Sequence, residues 1–123
     1  MAEKRTAAQQ RRMDELRAFV RAVEHVQKLV AELESSRAAR AQVIDNLCGA
    51  IARELSQLRQ RAMTANIGTV ADTAGALSVM ATRGGGLAMK LRGLTEGVHS
   101  MLLQLDQALK QASAPEPSSP PGG

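Results

Sequence analysis

The spacing of apolar residues constrains the fold of this chain more than any other feature of its sequence. In successive stretches, apolar side chains recur at intervals of three and four residues, which places them on one side of an α-helix. One such stripe extends from Val43 to Leu58, and a later one extends from Leu87 to Leu109. The first stripe consists of Met13, Leu16, Phe19, Val20, Val23, Val26, Val30 and Leu33. The pattern predicts an all-α protein.

Local signals predict where the helices begin and end. Thr6 and Gln9 have the spacing of a capping box, so the first helix should begin near Ala7. Thr69 and Asp72 offer a second capping box before a helix of small residues. Three consecutive glycines follow that helix and predict an interhelix turn, because glycine is unfavourable inside a helix and readily adopts the left-handed conformation. The predicted helices span residues 7–34, 37–62, 70–82 and 87–111.

Between the first two stripes, Arg37 and Arg40 occupy positions that a continued stripe would assign to the core. Two outcomes compete: one very long helix with a polar patch, or a turn capped by Ser36 that folds the second helix back on the first. The turn is favoured, because a continuous coiled coil does not require its stripe to lapse.

These elements predict a single helical domain over residues 1–112, built as an antiparallel bundle or helical hairpin with coiled-coil-like packing. Residues 113–123 are rich in Pro, Ser and Gly and are predicted to form a disordered tail. A core with few aromatic residues is marginal for a monomer, so self-association through the first and last helices is expected. The residues expected to make this contact, called the self-association stripe, are Leu16, Val23, Val30, Leu94, Val98, Met101 and Leu105.

The composition of the chain excludes a disulfide framework and most kinds of metal site and catalytic site. The chain of 123 residues has one cysteine, Cys48, which rules out a disulfide framework and a cysteine-ligated zinc site. Neither His25 nor His99 is followed three or four residues later by a second His or a carboxylate, and no nucleophile is placed beside a base. We therefore expect no enzymatic activity, no cofactor, no metal and no small-molecule substrate. Nucleic acid is an improbable partner, because Phe19 is the only aromatic residue and no binding motif is present.

The formal net charge of +4 lies entirely in the first half of the chain. Its densest part is a basic arm that contains Lys4, Arg5, Arg11 and Arg12. One interpretation is a solvated helix face with charges of both signs. The other is an arm that meets anionic lipid or an acidic protein.

The N-terminus lacks the apolar region of a secretory signal, so we expect an intracellular protein, either cytoplasmic or peripheral on a membrane.

The window from Ala62 to Thr82 contains only one charged residue, Asp72, but its threonines, Asn66 and glycines make it too polar for a membrane span. Gly93 and Gly97 form a small-residue pair whose favoured role is close packing of two soluble helices or a local kink. Cys48 is interpreted as a small buried apolar residue.

The stretch from Leu47 to Ala81 resembles the conserved part of the apolipoprotein L family. The resemblance is carried by the tetrapeptides at residues 64–67 (Thr-Ala-Asn-Ile) and 75–78 (Gly-Ala-Leu-Ser), with further similarity at residues 86–89 and 94–97. It implies a lipid-binding, pore-forming or membrane-remodelling role. The chain departs from the family where Arg83, Lys90 and Arg92 replace apolar residues and where the proline of the hairpin turn is absent. Charged side chains cost several kcal/mol in hydrocarbon, so the resemblance implies association with a lipid surface rather than insertion.

The sequence thus predicts a non-enzymatic helical protein that associates with lipid surfaces, including anionic membrane surfaces, through amphipathic helices. The alternative is a coiled-coil adaptor or scaffold that binds itself or a partner helix. The residues predicted to form the lipid or partner surface are Ile67, Val70, Leu77, Met80, Met89 and Leu91. If these side chains are buried in a closed bundle, lipid binding through them requires the bundle to open.

Overall fold

The computed structural model describes residues 6–83 and 85–114, and it confirms the predicted all-α bundle of four helices. Lys4, Arg5 and residues 115–123 of the predicted tail lie outside the described residues. The helices are α1 (Ala7–Ser35), α2 (Ala41–Thr64), α3 (Gly68–Thr82) and α4 (Leu87–Ser113).

The start of α1 confirms the predicted capping box. The Gln9 backbone N–H donates to Thr6 Oγ1 at 3.0 Å, and the Thr6 backbone N–H donates to Gln9 Oε1 at 3.0 Å. These two bonds satisfy amide groups that have no partner inside the first turn of a helix. The sequence therefore fixes this boundary through local chemistry alone.

The connection between α1 and α2 is a turn, as favoured, but its predicted cap is wrong. Ser36 follows the last residue of α1, and its amide donates back to the carbonyl of Leu33 at 3.2 Å. The Ala39 amide then donates to the carbonyl of Ser36 at 2.9 Å, so residues 36–39 form a turn rather than a helix start. Consequently α2 begins at Ala41, four residues later than predicted, with Arg40 as an N-cap that makes no side-chain hydrogen bond.

The second predicted capping box, at Thr69 and Asp72, is also wrong, because the end of α2 determines the start of α3. Asn66 has φ 59° and occupies the left-handed position that closes a helix. The Asn66 amide donates to the carbonyl of Met63 at 3.2 Å, and the Ile67 amide donates to that of Ala62 at 2.8 Å. This pair of bonds is the Schellman arrangement, and it returns the buried Ile67 to the core as the N-cap of α3.

Each helix packs antiparallel against its neighbours in the order α1, α2, α3, α4, and α4 closes the ring against α1. The first turns of α1 meet the end of α2, where Arg12 Nη1 donates to the carbonyl of Ala65 at 2.7 Å. The same helix meets the end of α4, where Gln9 Nε2 donates to the carbonyl of Ala114 at 3.3 Å. Both contacts join a helix start to a helix end, which defines an up-down-up-down bundle.

The apolar stripes of the four helices meet in one core. All the residues predicted to form the self-association stripe are at most 5% exposed: Leu16, Val23, Val30, Leu94, Val98, Met101 and Leu105. These side chains are buried because α1 lies along α4 within the same chain. They are core residues of the single chain rather than a surface that is free for a second copy, which corrects that expectation.

Two glycines of α4 receive side chains from α3. A Cβ added at Gly97 would overlap the Leu77 side chain, lying 2.8 Å from Leu77 Cγ, and one at Gly93 would overlap Met80. The absence of a side chain at these positions lets the two helices approach closely. The predicted role of the glycine pair, close packing of two helices, is confirmed.

We expect Gly97→Ala to lower the free energy of unfolding by about 1 kcal/mol in a urea titration. Overpacking a core destabilises a protein by about 1–3 kcal/mol, and replacing a helical glycine by alanine returns up to about 1 kcal/mol. Gly68→Ala is the matched control, because a Cβ there meets nothing within 4 Å. Equal stability of the two variants would contradict the packing described.

Candidate interaction surface at one end of the bundle

Most of the residues predicted to form a lipid or partner surface are buried. Ile67, Val70, Leu77 and Leu91 are at most 7% exposed, and Met80 is half-buried. These side chains do not form one exposed patch, so their contact with lipid would require the bundle to open. Met89 differs from them, because 81% of its surface is accessible to solvent.

Met89 lies in the first turn of α4, at the end of the bundle that also carries the α1–α2 turn. In an up-down-up-down bundle, the connection after α1 and the connection after α3 lie at the same end. Basic residues flank both connections. We call this set the cationic end: Arg37, Arg40, Arg83, Lys90 and Arg92, with Met89 among them.

Two clefts flank the start of α4 and show how these side chains are brought together. One, of about 240 Å³, is lined by Met80, Arg83, Gly85, Gly86, Met89 and Lys90. The other, of about 360 Å³, is lined by Glu34, Arg37, Ala88, Leu91, Arg92, Thr95 and Glu96. The second cleft places Arg37, from the α1–α2 turn, beside the first turns of α4. The cationic end is therefore assembled from two turns that are far apart in the sequence.

The positive charge at this end is carried by side chains rather than by helix dipoles. The N-termini of α2 and α4 and the C-termini of α1 and α3 lie together, so their partial charges largely cancel. Arg92 Nε lies 3.5 Å from Glu96 Oε1, but both side chains are well exposed, and such pairs contribute at most about 1 kcal/mol. Within the described residues, the other four basic side chains of the cationic end make no ion pair.

The described residues of the predicted basic arm, Arg11 and Arg12, lie at the opposite end of the bundle. Arg11 is exposed there, whereas Arg12 is partly buried and used by the fold. Its Nη1 lies 2.6 Å from Glu15 Oε1 and also donates to the carbonyl of Ala65, the C-cap residue of α2. Arg12 therefore ties α1 to the end of α2 and is not available as a free cation. The cationic end was not predicted from the sequence, although the basic residues on both sides of the two turns were its signal.

A larger groove, of about 430 Å³, opens between α1 and α2 near the basic arm. Phe19 and Arg61 line it, and the Arg61 guanidinium lies 5.1 Å from the centre of the Phe19 ring, a cation–π distance. The carboxylate in the groove belongs to Glu15, which is already paired with Arg12. Each charged group of the groove therefore already has a partner: Glu15 pairs with Arg12, and Arg61 lies over the Phe19 ring.

The titratable side chains are dispersed. His25 Nε2 lies 4.0 Å from Glu54 Oε1 on an exposed surface, and Cys48 is buried at 6% exposure, as interpreted from the sequence. In the part of the chain that the structure describes, no three His, Cys, Asp or Glu residues are close enough to hold a metal ion. Among the four helices described, none has the length and apolar character needed to cross a membrane.

No protein-family model, curated protein or solved structure matches the chain. The resemblance to the apolipoprotein L family therefore stays a prediction that depends on the residues quoted for it.

The burial pattern predicts that substitutions at two nearby positions of α4 differ greatly in their effect on stability. Met89→Ser should change the free energy of unfolding by less than about 0.5 kcal/mol, because the side chain is exposed. Leu91→Ala should lower it by about 2–5 kcal/mol, because this side chain is 5% exposed and belongs to the core. Chemical unfolding of both variants measures the difference. A marked loss of stability in Met89→Ser would show that this residue is part of the core.

Proposed function

We propose that this chain is a non-enzymatic helical bundle that associates with anionic lipid surfaces through its cationic end. The observation that carries the proposal is the position of Met89, an apolar side chain that is 81% exposed and lines a cleft with Arg83 and Lys90. A side chain of this kind enters the interface between headgroups and acyl chains, while neighbouring lysine and arginine side chains meet anionic headgroups. The bundle remains closed in this mode of binding.

The expected strength of binding is modest. Each basic residue near an anionic surface contributes about 1 kcal/mol, and burial of a methionine side chain contributes about 1.5–3 kcal/mol. Four carboxylates at the same end, those of Glu32, Glu34, Asp45 and Glu96, reduce the electrostatic part. The sum is smaller than that of a single myristoyl chain, which itself binds membranes weakly and reversibly.

The departures from the apolipoprotein L pattern support surface association. Arg83, Lys90 and Arg92 replace apolar residues of that family, and all of them belong to the cationic end. Side chains that oppose insertion into hydrocarbon are the ones that favour contact with headgroups. Under this proposal, the interaction uses these residues instead of an inserted apolar hairpin.

Co-flotation with vesicles tests the proposal. We expect the parent chain to float with vesicles that contain anionic lipid, and to float less as salt is added, because salt screens exposed charges. The double variant Arg37→Glu with Lys90→Glu should lower the partition coefficient at least about tenfold, given about 1 kcal/mol for each charge. Met89→Ser should weaken binding without changing its salt dependence.

The matched control reverses the same number of charges elsewhere. Arg21→Glu with Lys28→Glu changes two exposed residues in the middle of α1. This control should float almost as well as the parent. Equal losses for both double variants would show that net charge alone drives binding and would refute a specific cationic end. Absence of flotation with any vesicle would refute the proposed function itself.

The second candidate function is a scaffold that binds a second copy of itself or a partner helix. The stripes first assigned to that role are buried in the core, so this candidate needs another surface. The outward face of α3 supplies one, since its exposed residues recur at helical spacing and include Val79 at 57% exposure.

A further inference from the structure

The outward face of α3 carries a stripe that the bundle does not use. Because α3 packs against α2 and α4, four of its exposed residues lie together on the side away from both. They follow steps of three and four residues, the spacing of a helix that pairs with another helix. This set, continued by the C-cap residue of the helix, is called the α3 stripe: Thr69, Asp72, Ala76, Val79 and Arg83. The side chain of Arg83 also lines the cleft beside Met89 and Lys90.

The polar groups near this stripe are largely satisfied inside the chain. Thr73 Oγ1 donates to the carbonyl of Thr69 at 2.9 Å, and Thr82 Oγ1 lies 3.2 Å from the carbonyl of Val79. Ser78 Oγ faces α2, where it donates to the carbonyl of Ala52 at 3.2 Å. Hydroxyls bonded in this way need no water, so the polar side chains that a partner on this face must accommodate are those of Thr69, Asp72 and Arg83.

The two charged residues of the stripe are separated by too great a distance to pair within one chain. Asp72 and Arg83 are eleven residues apart, which corresponds to about 16 Å along a helix. In the part of the chain that the structure describes, neither makes an ion pair. Between them, the stripe contains only Ala76 and Val79.

We propose that two copies of the chain pair through α3, antiparallel, around a two-fold axis between Ala76 and Val79. In this register Asp72 of each copy lies opposite Arg83 of the other, and Ala76 lies opposite Val79. A two-fold contact repeats every pairing, so both ion pairs form at once. The alanines allow close approach of the helices. A parallel arrangement would instead place Asp72 opposite Asp72, and like charges repel.

The dimer should be weak. One helix pair buries less than the 1,200–2,000 Å² or so that is typical of stable interfaces, so a dissociation constant of about 10–100 μM is expected. This inference gives the second candidate function a defined surface. It does not depend on the lipid proposal, because it is measured in the absence of lipid.

Sedimentation equilibrium over a range of concentrations tests the pairing. The parent chain should change reversibly from monomer to dimer. Asp72→Arg alone and Arg83→Asp alone should each raise the dissociation constant at least about tenfold, because each replaces two attractive pairs by two repulsive ones. An equimolar mixture of these two single variants should form a heterodimer about as tightly as the parent, since every facing pair is then attractive.

The mixture separates a lost contact from a misfolded variant, because misfolded chains do not regain binding when mixed. Glu24→Arg, a charge reversal at an exposed position of α1, is the control and should dimerise like the parent. A parent chain that stays monomeric up to several hundred micromolar would overturn the proposal. Unchanged dimerisation of Asp72→Arg, or failure of the mixture to form a heterodimer, would overturn the proposed register.

Discussion

The structure depends on the mutual burial of four apolar stripes around one core. The largest fully buried side chains come from all four helices, with Leu16, Ile51, Val70 and Leu105 among them. Since burial of apolar surface is the main favourable contribution to folding, these faces are committed to holding the bundle together. Surfaces that interact with other molecules must therefore lie elsewhere, at the ends of the bundle or on outward helix faces.

The helices themselves could be predicted from the sequence, because periodicity and local capping chemistry determine them. The capping box at Thr6 fixed the start of α1, and the glycine run fixed the start of α4 at Leu87. The starts of α2 and α3 were misplaced for a physical reason. The Ser36 amide donates back to a carbonyl of α1, and the left-handed Asn66 closes α2. In both cases the way in which the preceding helix ends determines where the next helix begins.

The candidate surface was harder to predict than the fold. Met89 was named from the sequence, but most of the residues grouped with it are buried, because spacing identifies a face without showing what covers it. The cationic end depends on topology: Arg37 and Arg92 lie far apart in the chain and line one cleft only once the bundle forms. Arg83 belongs to both the cationic end and the α3 stripe, so occupation of one surface restricts the other.

The central claim is that the bundle stays closed and acts through its surface. Hydrogen exchange of the backbone amides, with and without anionic vesicles, tests it most directly. The account predicts that vesicles slow exchange only near the two connections of the cationic end and in the first turn of α4, while the core turns of α1 and α3 keep their protection. Faster exchange at Leu77, Val98 and their neighbours in the presence of vesicles would show that the bundle opens, and it would contradict the account.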